Sequence, residues 1–576
     1  MKYTLVNPNY MENYVDNLIE YRGGNLNAMK MCSLEDGLEP PEHLDNIEQG
    51  ATLFLNSITK ENSKICIIVD CDVDGFTSST ILYKYARFLK PELNIDFFVH
   101  SGKQHGLEDM MEKLIGTDYD LVCLPDAGSN EENYHQELKD IGIPVLVLDH
   151  HEAICYSNSA IVINNQLSQN YLNKELTGAG VVYQFCRYLD KKLNLNKAND
   201  FIDLAALGII SDMGSVLTIE NYTIIKTGLN YRYKNYFFQT LIEKQVFSLG
   251  DIYDLNPIGI SFYITPLINA LIRVGSIEEK ENLFNAFIDG RQIVPSTKRG
   301  EKGMTEELVT QVVRNCVNAH SRQKRIKDKA VENIGIRIFN QNLADNKILV
   351  IQLDDDEDDF PSELNGLIAM QLAAKYKRPT LVLRENDEGF MRGSIRGLNN
   401  SELTSLKDYL ESTGMFEYCL GHANAAGASI KKSYIDKFIE KANIDLANYN
   451  FNDDSYEVNF ERYPYSKDLD SLIFNISKYK NFFGQNNPEP LIAIKDIHLT
   501  KKDIILMGSN KDTLKFEKQG VSFIKFKASN MIEELEDLEE INIELVGKAN
   551  INYWGGHETP QIFIEDYNIK DGTFDF

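Results

Sequence analysis

Short runs of apolar residues alternate with amphipathic stretches along the first third of the chain. The runs are typical of strands buried on both faces of a sheet, whereas the stretches between them have apolar residues at helical spacing. This alternation predicts a parallel sheet with right-handed helical crossovers. The strand-like runs comprise residues 64–69, 95–99, 121–124 and 145–148, and the helical stretches comprise residues 77–89, 107–114, 134–140, 178–189 and 201–210.

The pattern changes in the remainder of the chain. A long polar stretch with helical periodicity, residues 305–332, predicts a helix that joins two domains. A second α/β segment follows at residues 347–447, with strands predicted at 348–353 and 380–383. From residue 455 onward short alternating β runs predominate, and they predict a small barrel such as an OB-fold. These β runs include residues 492–497, 523–526 and 561–565.

A chain of 576 residues is long enough for three or four domains. The fold class predicted is therefore α/β, with a parallel-sheet domain and a smaller α/β domain joined by a long helix and followed by a C-terminal β-barrel. The predicted segments are an N-terminal extension at 1–60, the parallel-sheet domain at 61–295, the linker helix at 296–340, the smaller α/β domain at 341–450 and the barrel at 451–576.

The formal net charge of −27 would repel a polyanion on average. Any nucleic-acid site in this chain must therefore be a local basic channel. The long polar helix contains a basic cluster, which is either a solvated helix face or a basic wall for a phosphate backbone. Its members are Arg322, Lys324, Arg325, Lys327 and Lys329.

The cysteines and the apolar stretches bear on the compartment. The eight cysteines are scattered without a Cys-x-x-Cys pair, which is typical of free thiols in a reducing compartment. The N-terminus has no apolar signal segment, and the most apolar long stretch, residues 258–272, is interrupted by Pro266 and Asn269. We therefore expect a cytoplasmic protein without a membrane span.

Acidic residues and histidines follow the predicted strands. Since the carboxyl ends of parallel strands meet at one edge of a sheet, these side chains are expected to converge there. Converging carboxylates repel one another unless a cation lies between them. Oxygen and imidazole ligands suit Mn²⁺, Mg²⁺ or Fe²⁺, and two such ions about 3.5–4 Å apart are typical of phosphoester hydrolysis. The residues concerned are Asp70, Asp72, Asp74, Asp126, Asp149, His150, His151 and, after an apolar helix, Asp212.

Each of these residues also has a simpler interpretation. A single Asp at a strand end is usually a helix cap or turn former, and a lone pair of histidines is usually structural. The pattern Asp70-x-Asp72-x-Asp74-Gly could be a calcium loop, but its twelfth position is Ile81, which has no oxygen to offer. The joint occurrence at successive strand ends favours the metal site. The acidic run 354–359, by contrast, is interpreted as a surface loop rather than as a metal site.

Several motifs resemble known families. Four of them, in this order, look like the motifs of the DHH phosphoesterase superfamily: VDCDVDG (69–75), PDAGSN (125–130), LDHHE (148–152) and ISDMGS (210–215). Others, at 266–275, 392–397 and 421–427, resemble the domain junction and the DHH-associated domain. The C-terminal motifs FGQNNPEP (483–490) and INYWGGHETPQIFIED (551–566) resemble the OB-fold of the bacterial RecJ exonucleases.

The resemblance implies a single-strand-specific 5′→3′ DNA exonuclease that releases 5′-mononucleotides and uses Mn²⁺ or Mg²⁺, with two ions. It also implies single-stranded DNA as the partner, and a single-strand-binding protein or a helicase as candidate protein partners. The implied metal ligands are Asp70, Asp72, Asp126, His150 and Asp212. The implied catalytic residues are His151 and Asp126, supported by Asp74 and Asp149. The residues implied to bind the substrate are Arg273, Ser394, Arg396 and His422.

The sequence departs from the family pattern in places. Ile68 stands where RecJ proteins commonly have a histidine, two residues before the first motif acid. One metal site is therefore expected to lack a ligand. The usual pair of glycines before the C-terminal histidine is Leu420-Gly421 here, and the basic residue expected after the second strand has only Lys103 as a candidate.

Alternatives remain open at this stage. Other DHH enzymes cleave short RNAs or cyclic dinucleotides, and degenerate members of the superfamily act as replication scaffolds. Arg273 and Arg396 could form an interdomain salt bridge instead of binding phosphate. In the barrel segment, aromatic residues either stack on bases or pack in the core, and core packing is favoured for most of them. These residues are Phe482, Phe483, Tyr553 and Trp554.

Overall fold

The N-terminal segment of the chain is fastened to its C-terminal third. A computed structural model describes residues 1–12, 15–102, 104–153, 155–230, 235–250, 254–354, 358, 360–386, 388–398, 401–451, 455–536, 538–554 and 557–570. The first elements are β1 (Lys2–Leu5), α1 (Val15–Tyr21) and α2 (Leu26–Met31). Strand β1 pairs in parallel with residues Ser455–Val458, and Val15 and Leu18 lie in the apolar core of the C-terminal domain. Strand β1 and helix α1 therefore pack with the end of the chain, whereas α2 also packs on Tyr222 of the first domain.

The first large sheet is parallel throughout. Its strands are β2 (Lys64–Val69), β3 (Asn94–Val99), β4 (Leu121–Pro125), β5 (Val145–Asp149) and β6 (Ile161–Asn164). They lie in the order β3-β2-β4-β5-β6. The four strands predicted from the apolar runs are confirmed, and β5 is buried along its whole length. The chain reverses its direction of travel across the sheet between β2 and β4, which is the position where such sheets bind ligands.

Helices cover this sheet and extend the first domain. Most of their apolar faces join one core, which includes Phe54, Phe76 and Phe185, whereas α5 and α6 pack in a second core through Leu114 and Leu138. The helix predicted over 107–114 is wrong at its start, because only its last turn is helical. The helices are α3 (Ile47–Thr59), α4 (Val73–Leu89), α5 (Met111–Leu114), α6 (Glu132–Asp140), α7 (Gly178–Leu193), α8 (Ile202–Ser211), α9 (Ile219–Gly228), α10 (Tyr236–Lys244), α11 (Val246–Leu249), α12 (Pro257–Tyr263), α13 (Thr265–Val274) and α14 (Ile277–Asp289).

A hairpin and one long helix connect the first domain to the second. The hairpin consists of β7 (Ile293–Pro295) and β8 (Thr305–Glu307), so the predicted helical start at residue 305 is wrong. The helix α15 (Leu308–Asn340) spans 33 residues. Its first half contributes Val309 and Val312 to the core of the first domain, whereas its second half contributes residues such as Ile334 to the core beneath the second sheet. One helix is thus part of two successive cores.

The second domain is a smaller mixed sheet with helices. Its elements are β9 (Leu349–Leu353), α16 (Asn365–Tyr376), β10 (Thr380–Glu385), β11 (Phe390–Arg396), α17 (Leu406–Ser412), β12 (Phe416–His422), β13 (Ala425–Lys431) and α18 (Ile435–Asp445). The strands lie in the order β12-β13-β11-β10-β9. Strands β9 and β10 are parallel and the other neighbours are antiparallel. The predicted strands β9 and β10 are confirmed.

The C-terminal domain is rich in β-structure. Its elements are β14 (Ser455–Val458), β15 (Phe460–Arg462), α19 (Leu469–Lys478), β16 (Leu491–Thr500), β17 (Ile505–Met507), β18 (Thr513–Lys518), β19 (Val521–Lys525), α20 (Ser529–Leu535), β20 (Glu540–Trp554) and β21 (His557–Lys570). Seven strands form one sheet in the order β15-β16-β20-β21-β19-β18-β17. The three β runs predicted in this region fall on β16, β19 and β21.

The aromatic residues singled out in this domain have different surroundings. Phe483 is buried in the core, and the ring of Phe482 stacks on Tyr222 with 4.9 Å between centroids. These two residues therefore pack, as favoured from the sequence. Tyr553 is 63% exposed and remains available to a ligand, whereas the side chain of Trp554 lies outside the described part of the chain.

One segment, Pro257–Val274, is apolar and long enough to cross a membrane by length and composition alone. Half of it is buried inside the protein, and it consists of the two helices α12 and α13. Core helices pass the same test, so the segment is weak evidence for a membrane span.

We expect the N-terminal attachment to depend on Arg22. Its Nη1 atom donates hydrogen bonds to Oδ1 of Asn487, at 2.7 Å, and to the carbonyl of Pro488, at 2.6 Å. Hydrogen bonds from a charged donor contribute about 1.5–3 kcal/mol each. Arg22→Ala should therefore lower the melting temperature, measured by differential scanning calorimetry. Arg299→Ala is the control, because Arg299 is an exposed arginine far along the chain and its loss should change stability little. Equal melting temperatures for the two variants would contradict this role of Arg22.

Candidate metal centre

The acidic motifs converge at the carboxyl ends of the parallel strands. Asp70 follows β2, Asp126 follows β4 and Asp149 ends β5. Asp72 is the N-cap of α4, and Asp212 follows the last residue of α8. The sheet edge predicted from the strand pattern is therefore where these side chains lie.

The five predicted metal ligands, together with Asp74, form two adjoining groups. Oxygen atoms of Asp70, Asp72 and Asp126 lie within 4.8 Å of one another, as do ligand atoms of Asp74, His150 and Asp212. The groups meet where Nε2 of His150 approaches Oδ1 of Asp126 at 3.2 Å and Oδ2 of Asp212 at 3.4 Å. Asp126 thus stands between the two groups.

Asp126 is held in an unusual backbone conformation. Its φ angle is +71°, a left-handed value that is uncommon for residues other than glycine. Its N–H donates to the carbonyl of Leu148 at 2.8 Å, which ties the end of β4 to β5. The neighbouring helix α7 can approach because residue 178 is glycine: a Cβ there would lie 2.3 Å from Oδ1 of Asp126. The backbone and the glycine together fix this carboxylate at the centre of the site.

The electrostatics of the site fit a divalent cation. Burial, followed by repulsion from neighbouring carboxylates, raises the pKa values of Asp126 and Asp212 well above the ordinary range. The same two causes raise the pKa of Asp74 to about 7. Oδ1 of Asp70 is buried without a hydrogen-bond partner among the described residues. A cation bound between the carboxylates would relieve the repulsion and satisfy this oxygen.

Asp72 is both a helix N-cap and a candidate metal ligand. Its side chain accepts a hydrogen bond from the N–H of Gly75 at 3.0 Å, so it is a helix N-cap. The same carboxylate also belongs to the oxygen group with Asp70 and Asp126. The capping bond occupies Oδ1, and it orients the side chain toward the site.

Asp74 is bound by the N-terminus of α7. It accepts hydrogen bonds from the backbone N–H of Gly178 at 2.7 Å and of Ala179 at 3.1 Å, and from the hydroxyl of Thr177 at 3.0 Å. Helix N-termini favour negative charge. This geometry suits the supporting role expected for Asp74, because most of its acceptor capacity is used inside the protein.

Asp149 orients the two histidines that follow it. Its Oδ1 accepts from the backbone N–H of His150, at 2.7 Å, and from Nδ1 of His151, at 2.8 Å. Although burial would raise the pKa of Asp149, the positive charge of His151 holds it below the ordinary range. Burial would lower the pKa of His151, but Asp149 raises it to about 9. The Nδ1 atom of His151 is therefore fixed, and Nε2 is the nitrogen that can meet a ligand.

The pKa of His150 is shifted in the opposite direction to that of His151. Burial, and then the neighbouring His151, lowers the pKa of His150 to about 3. A neutral imidazole is the form that binds metal ions. The adjacent histidines thus divide into a buried neutral ring among the carboxylates and a half-exposed ring beside Asp149.

The residues predicted to bind phosphate come from two domains. Arg273 lies on α13, and Ser394 and Arg396 lie on β11. Burial, followed by repulsion from Arg273, lowers the pKa of Arg396, so the two guanidinium groups are close enough to interact. Among the described residues no carboxylate lies within ion-pairing distance of either group, which disfavours the salt-bridge interpretation. Two neighbouring guanidinium groups without an acidic partner suit an anion.

His422 also faces the first domain. It is exposed at the end of β12, and its charge contributes to the lowered pKa of His150. Arg273 thus lies near Asp72 and Arg396, and His422 lies near His150. Ser394 lies on β11, two residues before Arg396.

The sequence analysis missed two histidines beside Asp70. Nδ1 of His105 lies 2.7 Å from Oδ2 of Asp70, and Nε2 of His100 lies 4.0 Å from Oδ1 of the same residue. His100 directly follows β3, so the strand-end pattern that selected Asp70 and Asp126 applies to it equally. The sequence thus shows the same pattern for His100, a polar residue directly after an apolar strand, but the prediction of ligands rests on the strands that acids follow.

A buried lysine was also missed. Lys280, on α14, is 2% exposed and donates to the carbonyls of His100 and Ser101 at 3.1 and 2.7 Å. It supplies a cation after β3, where Lys103 was the candidate; Lys103 itself lies outside the described residues.

The charged clusters named from the sequence have mixed roles. Arg322 donates to the carbonyl of Val274 at 2.9 Å and pairs with Glu279, so it fastens α15 to α13 and α14. Lys324 and Arg325 are exposed. In the acidic run, residues 355–357 and 359 lie outside the described part, and Asp358 pairs with Arg337 at 2.9 Å. That pair is structural.

Comparisons with known proteins decide the family. Residues 64–209 match the DHH family, N-terminal domain, and residues 467–566 match the RecJ OB domain. An SPbeta prophage protein of Bacillus subtilis, YorK, provisionally named a single-strand DNA-specific exonuclease, is 37% identical over 535 residues, which cover 91% of each chain. The chain belongs to the RecJ family of DHH proteins. The recognition of the family and the predicted fold class are thereby confirmed.

Two RecJ proteins extend the comparison. The RecJ of Bacillus subtilis, named a single-stranded-DNA-specific exonuclease, is 25% identical over 547 residues, which cover 92% of this chain and 64% of that protein. A crystal structure of Thermus thermophilus RecJ in complex with Mn²⁺ superposes with a TM-score of 0.69 at 20% identity. The superposition covers 92% of this chain and 72% of that one. The RecJ fold therefore extends through all the domains described above.

We expect Gly178 to be required for metal binding. In Gly178→Ala the added methyl group must displace the carboxylate of Asp126, and shifts of this kind cost about 10–100-fold in metal affinity. Isothermal titration with Mn²⁺ measures the effect. Gly335→Ala, in the middle of α15, is the matched control, because a Cβ there makes no contact shorter than 3.3 Å. If both variants bind Mn²⁺ like the wild type, the close approach of α7 has no role in the site.

Proposed function

We propose that this chain is a metal-dependent exonuclease that degrades single-stranded DNA from its 5′ end and releases 5′-mononucleotides. The observation that best supports it is the meeting of a crowded carboxylate and imidazole cluster with two guanidinium groups that have no described acidic partner. The RecJ relatives are named single-strand DNA-specific exonucleases, and they agree with this substrate.

The proposed cofactors are two Mn²⁺ or Mg²⁺ ions. Crystal structures of Thermus thermophilus RecJ contain Mn²⁺ in one case and Mg²⁺ in another. In this chain Asp70 and Asp72 would hold one ion, His150 and Asp212 the other, and Asp126 would touch both. Divalent ions at this position supply Lewis acidity, which acidifies water and neutralises the charge of a phosphodiester.

The protein's own residues complete the chemistry. Asp149 fixes the ring of His151 through Nδ1, which leaves Nε2 to donate to the scissile phosphate or to orient water. Asp74 is saturated by the N-terminus of α7, and it keeps α4 and α7 together beneath the ligands. These two carboxylates thus position other residues.

The end specificity is assigned to residues of both the first and the second domain. Arg273, Ser394 and Arg396 would bind the terminal 5′-phosphate, since guanidinium groups bind phosphate with paired hydrogen bonds. His422 and the flexible backbone of Gly421, which has a φ of +127°, would contact the adjoining nucleotide. A terminal phosphate held next to the metal centre places the first phosphodiester at the reacting position, and so favours removal of one nucleotide at a time.

The preference for a single strand is assigned to the gap between the domains. Arg273 on α13 and Arg396 on β11 are close enough to interact, and a narrow passage beside them would exclude a duplex by its width. Lys324 and Arg325 would form a basic wall along it, which offsets the overall charge of −27. Tyr553 of the OB domain is exposed and could stack on a base further along the strand.

The alternatives are less well supported. The match to the RecJ OB domain disfavours a DHH enzyme specialised for short RNAs or cyclic dinucleotides. The intact set of acids and His150 disfavours a non-enzymatic scaffold. We further propose a cytoplasmic location, with a single-strand-binding protein or a helicase as protein partner; all eight cysteines are free thiols, as a reducing compartment requires.

Asp126→Ala should abolish the nuclease activity. Because Asp126 adjoins both ligand groups, its loss should lower the turnover of single-stranded DNA with Mn²⁺ by about 1,000-fold or more. A gel assay with 5′-labelled and 3′-labelled strands gives both the rate and the direction of digestion. Asp140→Ala, at an exposed position on α6, is the control and should retain full activity. Normal turnover in the Asp126 variant would exclude the two-ion arrangement.

Arg396→Ala should weaken binding of the 5′-terminal phosphate. Loss of charge-assisted hydrogen bonds of about 1.5–3 kcal/mol predicts a KM for 5′-phosphorylated strands that is raised about 10–100-fold, with less effect for 5′-hydroxyl strands. The salt-bridge alternative instead predicts a lower melting temperature with KM unchanged. Arg392→Ala is the matched control, because Arg392 lies on the same strand but is exposed and faces Glu388 and Glu417.

A further inference from the structure

His100 is a buried histidine that faces Asp70 across a short gap. Its side chain is inaccessible to solvent, and its Nε2 lies 4.0 Å from Oδ1 of Asp70. Neither atom has a hydrogen-bond partner among the described residues, although both are buried. A buried polar atom that nothing satisfies destabilises the fold. The separation is too long for a hydrogen bond but suits two ligands of one ion, each about 2.1 Å from it.

The ring of His100 has the orientation and the protonated nitrogen that suit coordination of a metal ion through Nε2. Its Nδ1 lies 2.8 Å from Oδ1 of Asp109, so Nδ1 carries the proton and Nε2 presents its lone pair to Asp70. A carboxylate bound to the far nitrogen is the usual companion of a metal-binding histidine. Lys280 holds the backbone carbonyl of His100 from the other side. The ring is therefore held by Asp109 and the backbone by Lys280, and neither contact involves Asp70.

The strand register brings His100 level with Asp70. Val69 on β2 pairs with Val99 on β3 in parallel, so the residues that follow them, Asp70 and His100, lie side by side. Side chains that are level on adjacent strands point to the same face, as do those two positions apart on one strand. Residue 68 therefore shares this face with Asp70, but it is a buried isoleucine and offers no ligand.

His105 has a different relation to Asp70. Its Nδ1 lies 2.7 Å from Oδ2 of Asp70, and the ring is half exposed and also contacts Sγ of Cys71. The loop that carries it is fixed by Glu131, which accepts the N–H of Leu107 at 3.0 Å. His105 is thus engaged as a hydrogen-bond donor, whereas His100 has an unused lone pair.

We propose that His100 coordinates the divalent ion held by Asp70, in place of the ligand that Ile68 cannot supply, and that His105 positions Asp70. The first metal position is then complete, with the imidazole provided by the neighbouring strand. This inference rests on the proposed function, because it assumes that the carboxylate cluster binds metal ions.

The decisive experiment counts Mn²⁺ ions bound to the full chain. Isothermal titration and Mn²⁺ electron paramagnetic resonance should give two ions for the wild type. His100→Ala should lose one ion or bind it about 10–100-fold more weakly. His100→Phe fills the volume without a ligand atom and should do the same. The double variant Ile68→His/His100→Ala should regain the ion, because the imidazole returns to the same face.

A second histidine provides the matched control. His135, on α6, is also fully buried with an unpartnered Nε2, and its Nδ1 lies 3.1 Å from the hydroxyl of Ser157. His135→Ala should lower the melting temperature and leave both ions bound. His105→Ala should keep two ions and weaken one of them. Loss of an ion from the His105 variant and not from the His100 variants would reverse the assignment and overturn the proposal.

A spectroscopic measurement on the wild type does not depend on any variant folding. Pulsed electron paramagnetic resonance detects ¹⁴N coupling from a coordinated imidazole, and we expect it at both ions, from His150 at one and His100 at the other. Nitrogen coupling at one ion alone, or two ions retained by both His100 variants, would show that His100 is structural. A wild-type chain that binds no Mn²⁺ would instead defeat the proposed function itself, so the two failures are distinguishable.

Discussion

Repulsion among buried carboxylates is the constraint on which this structure depends. Acids from β2, β4 and the end of α8 meet at one sheet edge, and burial raises the pKa values of Asp126 and Asp212 well above their ordinary range. Arg273 is close enough to Asp72 to interact with it, but the pKa values of Asp126 and Asp212 stay high, so this one cation does not offset the crowding. The arrangement is stable as a charged site only when cations share it. The fold concentrates charge so that ions will be bound.

The elements around the site hold these carboxylates close together. The topological switch between β2 and β4 opens the crevice, and the N-terminus of α7 closes its floor by binding Asp74. Glycine at residue 178 lets that helix approach Asp126 closely. The long helix α15 then carries the second domain, and with it Arg396, to the opposite side of the crevice. Catalytic and binding groups therefore come from different domains but are fixed by one continuous framework.

Much of the site could be predicted from the sequence because its residues follow strands. Apolar runs that end in acids identify both the element and the edge, so Asp70, Asp126 and Asp149 were found together. His100 also follows a predicted strand, so the sequence could have placed it at the same edge of the sheet; that it lies beside Asp70 in particular depends on strand order and register, which a single sequence does not reveal. Lys280 was missed for a similar reason: it comes from a helix far along the chain, and its partners are backbone carbonyls.

The boundaries of elements were less predictable than their existence. The start of α15 was placed too early because Thr305–Glu307 continues the polar pattern but pairs with β7 in a hairpin. The prediction of an N-terminal extension gave no hint that its first strand belongs to the last domain, since pairing between residues 2–5 and 455–458 leaves no local signal. Long-range contacts of this kind are determined by the whole fold.

That pairing has a consequence for folding during synthesis. Strand β1 and the apolar residues Val15 and Leu18 are synthesised before their partners, which lie in the distant segment that begins with β14. The first domain can fold while synthesis continues, but the N-terminal segment must wait with its strand unpaired. The C-terminal domain therefore completes its core only when it packs against Val15 and Leu18, which were synthesised much earlier.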